Sequence, residues 1–423
     1  MNSVGLVEHF FRHEYGRICA LLSCRFGVQH INVVEDAVQS ALLTAIQSWG
    51  VGFVPDNPSA WLYRVAHNHL VSQLRSHVRQ DRLAREHALE NDVATTDAAS
   101  TSDATDELLQ MLFVACDESI PIESQLVFAL KTLCGFDIKE IADRLFISEA
   151  NAYKRFGRAK EHLRNKPSMF EIGAPEYHRR LPTVHAVIYL LFTEGYLSSH
   201  PVAAIRKELC DEAIRLGTLL TQRPAGQTPE TYALLALMTL HSSREKARQD
   251  ATGGLVLLEE QNRALWDQEK IALGLAWLAK SAEGDVFTRY HAEAGVAAEH
   301  CLAQSLQETN WERVVECYML LERIAPSPLH TLNRALATAE WKSPRHGLAL
   351  LDGLVPPTWL EGSYVWSATL SDLHRRCGNK ELAFRHRELA LHLAPTDAVK
   401  NALGRRLRQE NDYSSQSAFS AVS

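Results

Sequence analysis

Apolar residues recur at helical spacing along almost the whole chain. Between Val34 and Ala45 they fall three or four positions apart, which is the period of an amphipathic helix. From Tyr177 onward nearly every segment has the same Ala- and Leu-rich pattern, interrupted by helix-breaking proline and glycine residues. No segment has the alternating pattern of a strand, so we predict an all-α fold.

Changes in composition divide this helical chain into five segments. Residues 89–107 contain several acids, no Lys or Arg, and mostly Ala, Ser and Thr otherwise, which is typical of a flexible tether. Prolines flank a glycine between residues 167 and 176 and mark a second linker. The predicted order is a helical domain at 1–88, an acidic linker at 89–107, a second helical domain at 108–166, a linker at 167–176 and a helical extension at 177–423.

The last third of the chain shows weak internal repetition. Pro326 and Pro395 each follow an amphipathic segment and lie 69 positions apart, close to two periods of the roughly 34-residue tetratricopeptide helix pair. This spacing favours an α-helical repeat (TPR-like) domain. The alternative is a plain helical bundle in which such prolines recur by chance.

Composition and charge narrow the class of protein. Of 423 residues, 46% are hydrophobic and 22% charged, values typical of a globular protein. The longest apolar run, Val184 to Phe192, is too short to cross a bilayer, and no basic-then-apolar leader is visible, so we expect a cytoplasmic protein without a membrane partner. Eight cysteines without a C-x-x-C pair argue against a zinc module or a disulfide framework. The net charge of −7 disfavours phosphate binding unless basic residues are concentrated locally.

Such a concentration lies between Asp137 and Lys166. Asp137 is a suitable N-cap for a short helix, Phe146-Ile147 can form a turn, and Ser148 can cap a second helix. The segment has eight basic and five acidic residues. A solvated cationic helix face is the simpler explanation, but two capped helices and a short turn favour a DNA-binding helix-turn-helix. The side chains predicted to face DNA are Asn151, Lys154, Arg155, Arg158 and Lys160.

The N-terminal domain combines polar and aromatic residues in two helical segments. Glu35, Asp36 and Gln39 fall on the polar side of an amphipathic pattern. The segment from Ala60 to Leu70 mixes aromatic, basic and amide side chains, as surfaces that hold single-stranded DNA do. For Trp61 itself, packing in the core is the favoured interpretation.

These motifs resemble those of a known family. Glu35-Asp36-x-x-Gln39, followed by Asn57-Pro58-x-x-Trp61-Leu62, is similar to region 2 of bacterial sigma factors, and Lys154-Arg155-Phe156-x-Arg158 is similar to region 4. With only a linker between the two regions, the arrangement resembles the extracytoplasmic-function (ECF) type. Four ordered blocks in the extension resemble the ECF42 group, which joins such a factor to a tetratricopeptide-like extension: Tyr189 to Tyr196, Ala236 to Arg248, Leu258 to Asp267, and Ala325 to Ala335.

The resemblance implies binding rather than catalysis. Its expected partners are core RNA polymerase and promoter DNA, with no catalytic residue, metal or cofactor. It places Glu35, Asp36, Gln39 and Leu43 against the clamp helices of the β′ subunit. It assigns −10 DNA binding to Asn57, Trp61, Arg64, His67, Asn68 and Arg75. It assigns −35 DNA binding to Tyr153, Lys154, Gly157 and Arg158. Together with the cap and basic face of the helix pair, the predicted −35 set is Ser148, Asn151, Tyr153, Lys154, Arg155, Gly157, Arg158 and Lys160.

The chain departs from the family pattern at two positions. Ser72 stands where many ECF factors have Asp, and Thr193 stands where the extension's motif usually has Asn. The first departure puts one −10 contact in doubt, and the second puts a polar contact within the extension in doubt.

Other functional classes stay open at this point. An enzyme could use His67-x-His69 or the carboxylates Glu194 and Glu259-Glu260, but the two histidines point to different sides of a helix and no catalytic motif is present. A helix-turn-helix regulator with a ligand- or partner-sensing helical domain is the second alternative. The extension is expected to contact the sigma domains and regulate them, or else to be a stabilising appendage. The promoter, the inducing signal and the oligomeric state are not predicted.

Overall fold

Helices and the loops between them make up the part of the chain that the computed structural model describes, which comprises residues 3–49, 55–84, 103–165, 172–198, 204–250 and 253–408. No strand forms within these ranges, where the β pairing is limited to an isolated bridge between Gln249 and Leu255. The predicted all-α fold is therefore confirmed. The chain divides into two compact units, Met1–Leu191 and Phe192–Ser423.

Eight α-helices begin in the described residues of the first unit. They are α1 (Ser3–Phe26), α2 (Ile31–Trp49), α3 (Pro58–Ala84), α4 (Asp103–Ala115), α5 (Ile122–Phe128), α6 (Ile138–Leu145), α7 (Glu149–Asn165) and α8 (Ala174–Tyr196). Helix α4 begins within the predicted acidic linker, so residues 103–107 are helical. Residues 89–102 of that linker lie outside the described residues.

Helices α1, α2 and α3 form a three-helix core. Gly27 ends α1 with a φ of 95°, a backbone conformation that glycine adopts without strain. Pro58 opens α3 at a position where its missing N–H costs nothing. Apolar residues spaced three or four apart on each helix face the common interior. Those buried there include Ile18, Leu22, Val34, Val38, Ala41, Leu62, Ala66 and Leu70.

The second half of this unit packs directly on α1. Helix α5 continues into a π-helical turn at Ala129–Leu133. A Cβ added to Gly16 of α1 would lie 2.1 Å from the Leu133 carbonyl oxygen, so the two backbones approach more closely than any other residue allows. On the same helix, the Arg12 guanidinium donates hydrogen bonds of 2.8 and 2.9 Å to the Glu140 carboxylate of α6.

Helix α8 joins this packing through a buried ion pair. Arg180 Nη2 lies 2.7 Å from Asp117 Oδ2, and Arg180 Nη1 donates to the Phe113 carbonyl at 3.0 Å. The Tyr177 ring packs edge-on against the Phe113 ring at 4.4 Å. The first compact unit consequently extends to Leu191, past residue 177, where the extension is predicted to begin.

The second unit is a succession of helices. They are α9 (Lys207–Thr221), α10 (Pro229–Ser242), α11 (Gln268–Ser281), α12 (Arg289–Leu302), α13 (Trp311–Ile324), α14 (Pro328–Trp341), α15 (Pro344–Ala349), α16 (Thr358–Glu361), α17 (Tyr364–Arg376), α18 (Lys380–His392) and α19 (Asp397–Arg406). Helix α10 is buried along most of its length between α9, α11 and α12.

The later helices have a repeat-like spacing. Leaving out the single turn α16, the helices from α13 onward start at residues 311, 328, 344, 364, 380 and 397, so alternate helices begin about 33 to 36 residues apart. Pro326 follows α13 and Pro395 follows α18, which places both prolines at helix ends as expected. This spacing is consistent with two-helix repeats and gives the extension a repeat-like architecture.

Two further sequence predictions concern membrane-spanning segments and disulfide bonds. In the described part of the chain, no helix is both long enough and apolar enough to traverse a bilayer. All eight cysteines are free thiols, as predicted.

Candidate nucleic-acid interface

Local capping determines the geometry of the helix-turn-helix. The Asp137 carboxylate accepts from the Glu140 N–H at 2.7 Å, and the Glu140 carboxylate accepts from the Asp137 N–H at 2.8 Å. This reciprocal capping box fixes the start of α6. Phe146 then adopts a left-handed conformation with a φ of 53°, which ends α6 and turns the chain. Ser148 Oγ accepts from the Asn151 N–H at 3.3 Å at the start of α7.

Helix α7 has one face on the core and one in solvent. Ala152, Ala159 and Leu163 are buried, and the Phe156 ring stacks on Phe128 at 6.0 Å. The exposed part of the predicted −35 set is Ser148, Asn151, Tyr153, Lys154, Gly157 and Arg158. The structure thus brings six of the eight predicted residues to one solvent-exposed surface of a short helix pair.

The two remaining members of the set, Arg155 and Lys160, are half-buried. Lys160 Nζ lies 2.6 Å from Glu35 Oε2 of α2 and 5.2 Å from the centre of the Phe156 ring. Its charge is therefore engaged inside the protein rather than displayed to solvent.

Helix α2 presents only part of the predicted polymerase-contacting set. Asp36, Gln39 and Leu43 are exposed. Glu35 is not, because its side chain is buried between Lys160 and Thr132, whose hydroxyl donates to Glu35 Oε1 at 2.7 Å. The interpretation that Glu35 lies on the polar, solvent-facing side of this helix is therefore corrected. A carboxylate fits in this buried position because two donors compensate its lost hydration.

The predicted −10 residues lie on or next to α3 with different exposures. Asn57 caps the helix, since its Oδ1 accepts from the Ala60 N–H at 3.0 Å. Arg64, Asn68 and Arg75 are exposed and fall at spacings of four and seven, on one side of the helix.

Two members of that set, Trp61 and His67, are half-buried and have their rings in contact with other aromatic side chains. Trp61 is half-buried with its ring 5.5 Å from Trp49, in agreement with the core interpretation. The His67 ring contacts Phe26 at 5.5 Å and Tyr63 at 6.0 Å. Asn57, Arg64, Asn68 and Arg75 therefore form the accessible part of the predicted surface.

Of the carboxylates considered as catalytic candidates, Glu194 and Glu260 are engaged in structural contacts, and Glu259 is exposed. Glu194 is buried, accepts from Ser198 Oγ at 2.6 Å and lies 3.8 Å from Arg206. Glu260 accepts from the Leu257 N–H at 3.0 Å and pairs with Arg405 at 3.2 Å. His69 is exposed, whereas His67 packs in the aromatic cluster.

Contacts between distant segments were not anticipated from the sequence. The Arg12–Glu140 and Glu35–Lys160 pairs join residues 128 and 125 positions apart. The sequence shows the basic segment, but no spacing rule predicts which acidic side chain forms an ion pair with each cation.

Comparison with known proteins identifies the class of the DNA-binding part. Residues 111–163 match the family model of sigma-70, region 4. The match covers the helix-turn-helix with its capping box and exposed basic face, and it supports a sigma-70-family factor with a sigma-type DNA-binding role. Residues 180–282 match a family of unknown function, DUF6596.

A curated relative extends the similarity over most of the chain. It is an uncharacterized protein of Rhizobium meliloti (strain 1021), 34% identical over 331 residues, which are 77% of this chain and 78% of the relative. The chain belongs to the same family as this rhizobial protein. No solved structure matches the chain.

Proposed function

We propose that the protein is a sigma factor of the ECF type, which binds core RNA polymerase, recognises promoters and initiates transcription. The observation that carries the proposal is the sigma-70 region 4 helix-turn-helix, whose exposed basic face lies in one compact unit with the exposed face of α2. A sigma factor needs both a DNA-reading element and a polymerase-docking element. The role requires no catalytic residue and no cofactor.

Helix α2 is the proposed docking element. Leu43 and Ile46 are 60% and 55% exposed on the helix that also exposes Asp36 and Gln39. Exposed apolar side chains on one helix face, flanked by polar groups, are typical of a protein-binding surface. We propose that this face contacts the clamp helices of the β′ subunit, with Asp36 supplying the charged contact.

Helix α3 is the proposed −10 element. Asn57, Arg64, Asn68 and Arg75 offer two amides and two guanidiniums to solvent along one side. Amide groups can hydrogen-bond an unstacked base and guanidiniums can follow the phosphates, so this surface suits a melted strand. The half-buried Trp61 and His67 act in this proposal by supporting the helix through their aromatic contacts.

Helix α7 is the proposed −35 element. Lys154 and Arg158 are long cationic donors on its exposed face, and a helix of this kind fits the major groove. Ser148, Asn151 and Tyr153 extend the same surface. In the free protein the Lys160 charge is held by Glu35, so Lys160 contributes less than Arg158 unless that pair opens.

Charge reversal on α2 tests the central proposal. We expect Asp36→Arg to abolish binding of the full-length protein to core polymerase and transcription from a promoter selected from a random library. The matched control is Glu123→Arg, which reverses an exposed charge on α5 and is expected to transcribe like the wild type. Equal transcription by Asp36→Arg and the control would overturn the docking proposal, provided circular dichroism shows both variants to be folded.

The rival function is a helix-turn-helix regulator that binds an intact operator. A sigma factor is expected to bind duplex promoters weakly by itself and tightly with core polymerase. Gel-shift titrations with and without core polymerase separate the two, and tight, sequence-specific binding by the protein alone favours the regulator.

We further propose that the extension regulates the sigma domains. Repeat-like helical domains offer surfaces suited to peptides and neighbouring domains, which supports this role. A full-length chain with a protease site inserted after Ser198 can fold intact and be cut afterwards, which breaks the covalent link between the extension and the N-terminal part. Transcription that changes several-fold after cutting supports regulation, whereas unchanged transcription indicates a stabilising appendage. The uncut protein is the control.

A further inference from the structure

Three arginines and two aromatic rings alternate in one cluster of the second unit. The Arg248 guanidinium lies 3.4 Å from the centre of the Tyr196 ring, and the Arg244 guanidinium lies 5.9 Å from the same ring. The Arg244 guanidinium is also 5.5 Å from the centre of the Trp266 ring, and the Arg263 guanidinium lies 4.4 Å from the centre of that ring. The order is therefore Arg248, Tyr196, Arg244, Trp266, Arg263.

The cluster is assembled from three separate parts of the chain. Tyr196 is the last residue of α8, Arg244 and Arg248 follow α10, and Arg263 and Trp266 precede α11. Arg244 and Trp266 are 9% and 4% exposed, whereas Arg248 and Arg263 are half-buried. The cluster thus has an interior and an edge that solvent can reach.

Within the described residues, the three guanidiniums of the cluster form no direct ion pair, although Glu245 and Glu308 lie near enough to act on Arg248 and Arg263. The Glu245 carboxylate lies 3.0 Å from Lys207 and 3.7 Å from Lys270. A concentration of guanidiniums this far from water is costly unless an anion compensates it.

The donors of the cluster are only partly used. Arg248 Nη1 donates to the Tyr196 carbonyl at 2.6 Å, Arg263 Nη1 donates to the carbonyls of His300 and Ala303, and Arg244 donates to the Tyr196 hydroxyl. Arg263 Nη2 and Trp266 Nε1 are buried and have no hydrogen-bond partner. Buried donors are almost always satisfied in folded proteins, so unused donors beside cations that form no direct ion pair point to a ligand with acceptor oxygens.

The arginines of the cluster also lower the pKa values of the neighbouring Tyr196 and His300 side chains. Burial by itself raises the pKa of the Tyr196 hydroxyl, but Arg244 and Arg248 outweigh it and lower that pKa below its ordinary value. Burial, with Arg244 and Arg263, lowers the pKa of His300 to about 4. Both shifts agree with the geometry in showing a site that favours negative charge.

We propose that this cluster is a binding site for a small multivalent oxyanion, a phosphate or carboxylate compound, held by Arg244, Arg263 and Trp266 Nε1. The planar guanidinium matches the two oxygens of a carboxylate or phosphate and binds them through paired hydrogen bonds. Arg248 supplies further positive charge from the edge of the cluster. This inference does not depend on polymerase or promoter binding.

Titration calorimetry of the full-length protein with inorganic phosphate and with citrate tests the proposal. We expect saturable binding at one site per chain, and the tighter of the two probes identifies phosphate or carboxylate as the preferred group. Arg244→Gln and Arg263→Gln each remove one charged donor and are expected to weaken binding at least about tenfold. The matched control is Arg385→Gln, an exposed arginine on α18, which is expected to bind like the wild type.

A conservative substitution of Arg263 distinguishes a role in ligand binding from a purely structural role in stacking on Trp266. Arg263→Lys keeps the positive charge but lacks the forked pair of guanidinium donors. Its affinity for the oxyanion is therefore expected to lie between those of the wild type and Arg263→Gln. Arg263 is half-buried, so its variants remain informative even if Arg244→Gln fails to fold. Failure of both probes to bind saturably, or binding that is unchanged in the folded Arg263→Gln variant, overturns the proposal.

Discussion

Lys160 Nζ lies 2.6 Å from Glu35 Oε2, so a residue of the proposed promoter-reading helix is paired with a residue of the proposed polymerase-docking helix. Thr132 donates to the second oxygen of the same carboxylate at 2.7 Å. The side chains of Glu35 and Lys160 are 7% and 20% exposed, which places the pair largely out of solvent. The pair therefore contributes to the packing of α2 against α7 in the free protein.

Removing Lys160 is expected to loosen this packing. Lys160→Met leaves the buried Glu35 charge with Thr132 as its remaining donor, at a cost of about 1–3 kcal/mol once the partial exposure of the lysine is considered. Hydrogen exchange measured by mass spectrometry should show faster exchange in α2 and α7. The control is Lys154→Met on the same helix, where no change is expected; equal protection in both variants would contradict the prediction.

A double variant refines this test. Changing Glu35 to Gln together with Lys160→Met removes both charges at once. Because breaking one side of a buried pair costs more than removing both sides, the double variant is expected to recover part of the lost protection.

Arg158→Ala is expected to weaken −35 recognition selectively. Arg158 is exposed on α7 and free to reach a base edge, so its loss should cost about 1–3 kcal/mol in binding by the polymerase complex. Lys160→Ala is expected to cost less, because Glu35 already holds that charge. Competition binding with promoters altered at −35 measures both effects, and Arg385→Ala in the extension is the control. A larger loss for Lys160→Ala than for Arg158→Ala would show that the pair opens on the promoter.

Replacing Gly16 or Gly157 by alanine is expected to change the stability of the protein in opposite directions. At Gly16 the added methyl meets the Leu133 backbone at 2.1 Å, so Gly16→Ala must displace α1 and is expected to destabilise the protein by about 1–3 kcal/mol. At Gly157 nothing lies within 4 Å, so alanine's higher helix propensity is expected to stabilise α7 by up to about 1 kcal/mol.

Thermal unfolding of the two full-length variants checks the signs. If α7 enters the groove as proposed, the methyl of Gly157→Ala also weakens promoter binding while it raises stability. A variant that is more stable and binds promoters unchanged would show that Gly157 does not approach DNA.

The extension is expected to lose stability in mild acid. Burial, with Arg244 and Arg263, holds the pKa of His300 at about 4, and burial, with Arg244 and Arg248, lowers the pKa of the half-buried His241 well below its ordinary value. An unfolded histidine takes up its proton near pH 6.5, so the unfolded state binds more protons between about pH 6.5 and 4. Stability should therefore fall as the pH falls through this window.

Urea unfolding at several pH values measures this loss. His300 alone accounts for at most about 3 kcal/mol by this mechanism. His300→Gln is expected to flatten the pH dependence, whereas His69→Gln, which changes an exposed histidine, is expected to leave it intact. Identical profiles for the wild type and His300→Gln would refute the assignment.

The sequence predicted best where the determinants are local. Asp137, the turn at Phe146 and the apolar positions of α7 specify the helix-turn-helix within thirty residues, and the structure has each of them as expected. The spacing of Pro326 and Pro395 similarly reflects helix lengths that the local pattern sets.

Long-range contacts could not be predicted in the same way. The helical pattern placed Glu35 with Asp36 and Gln39 on a polar face, and only the packing of α7, encoded 125 positions later, buries its carboxylate. The segments around Tyr196, Arg244 and Trp266 were each notable in the sequence, but their convergence and the role of Arg263 follow from the packing of the second unit.

The ion pair between Arg180 and Asp117 determines where the protein can be divided. A chain shortened at the predicted linker, after residue 166, loses the guanidinium that neutralises the buried Asp117 and the Tyr177 ring that covers Phe113. Its failure in transcription would reflect a damaged DNA-reading domain rather than the absence of a regulator. A portion that ends at Leu191 keeps both contacts, so the first turns of the helix assigned by sequence to the extension are structurally part of the first compact unit.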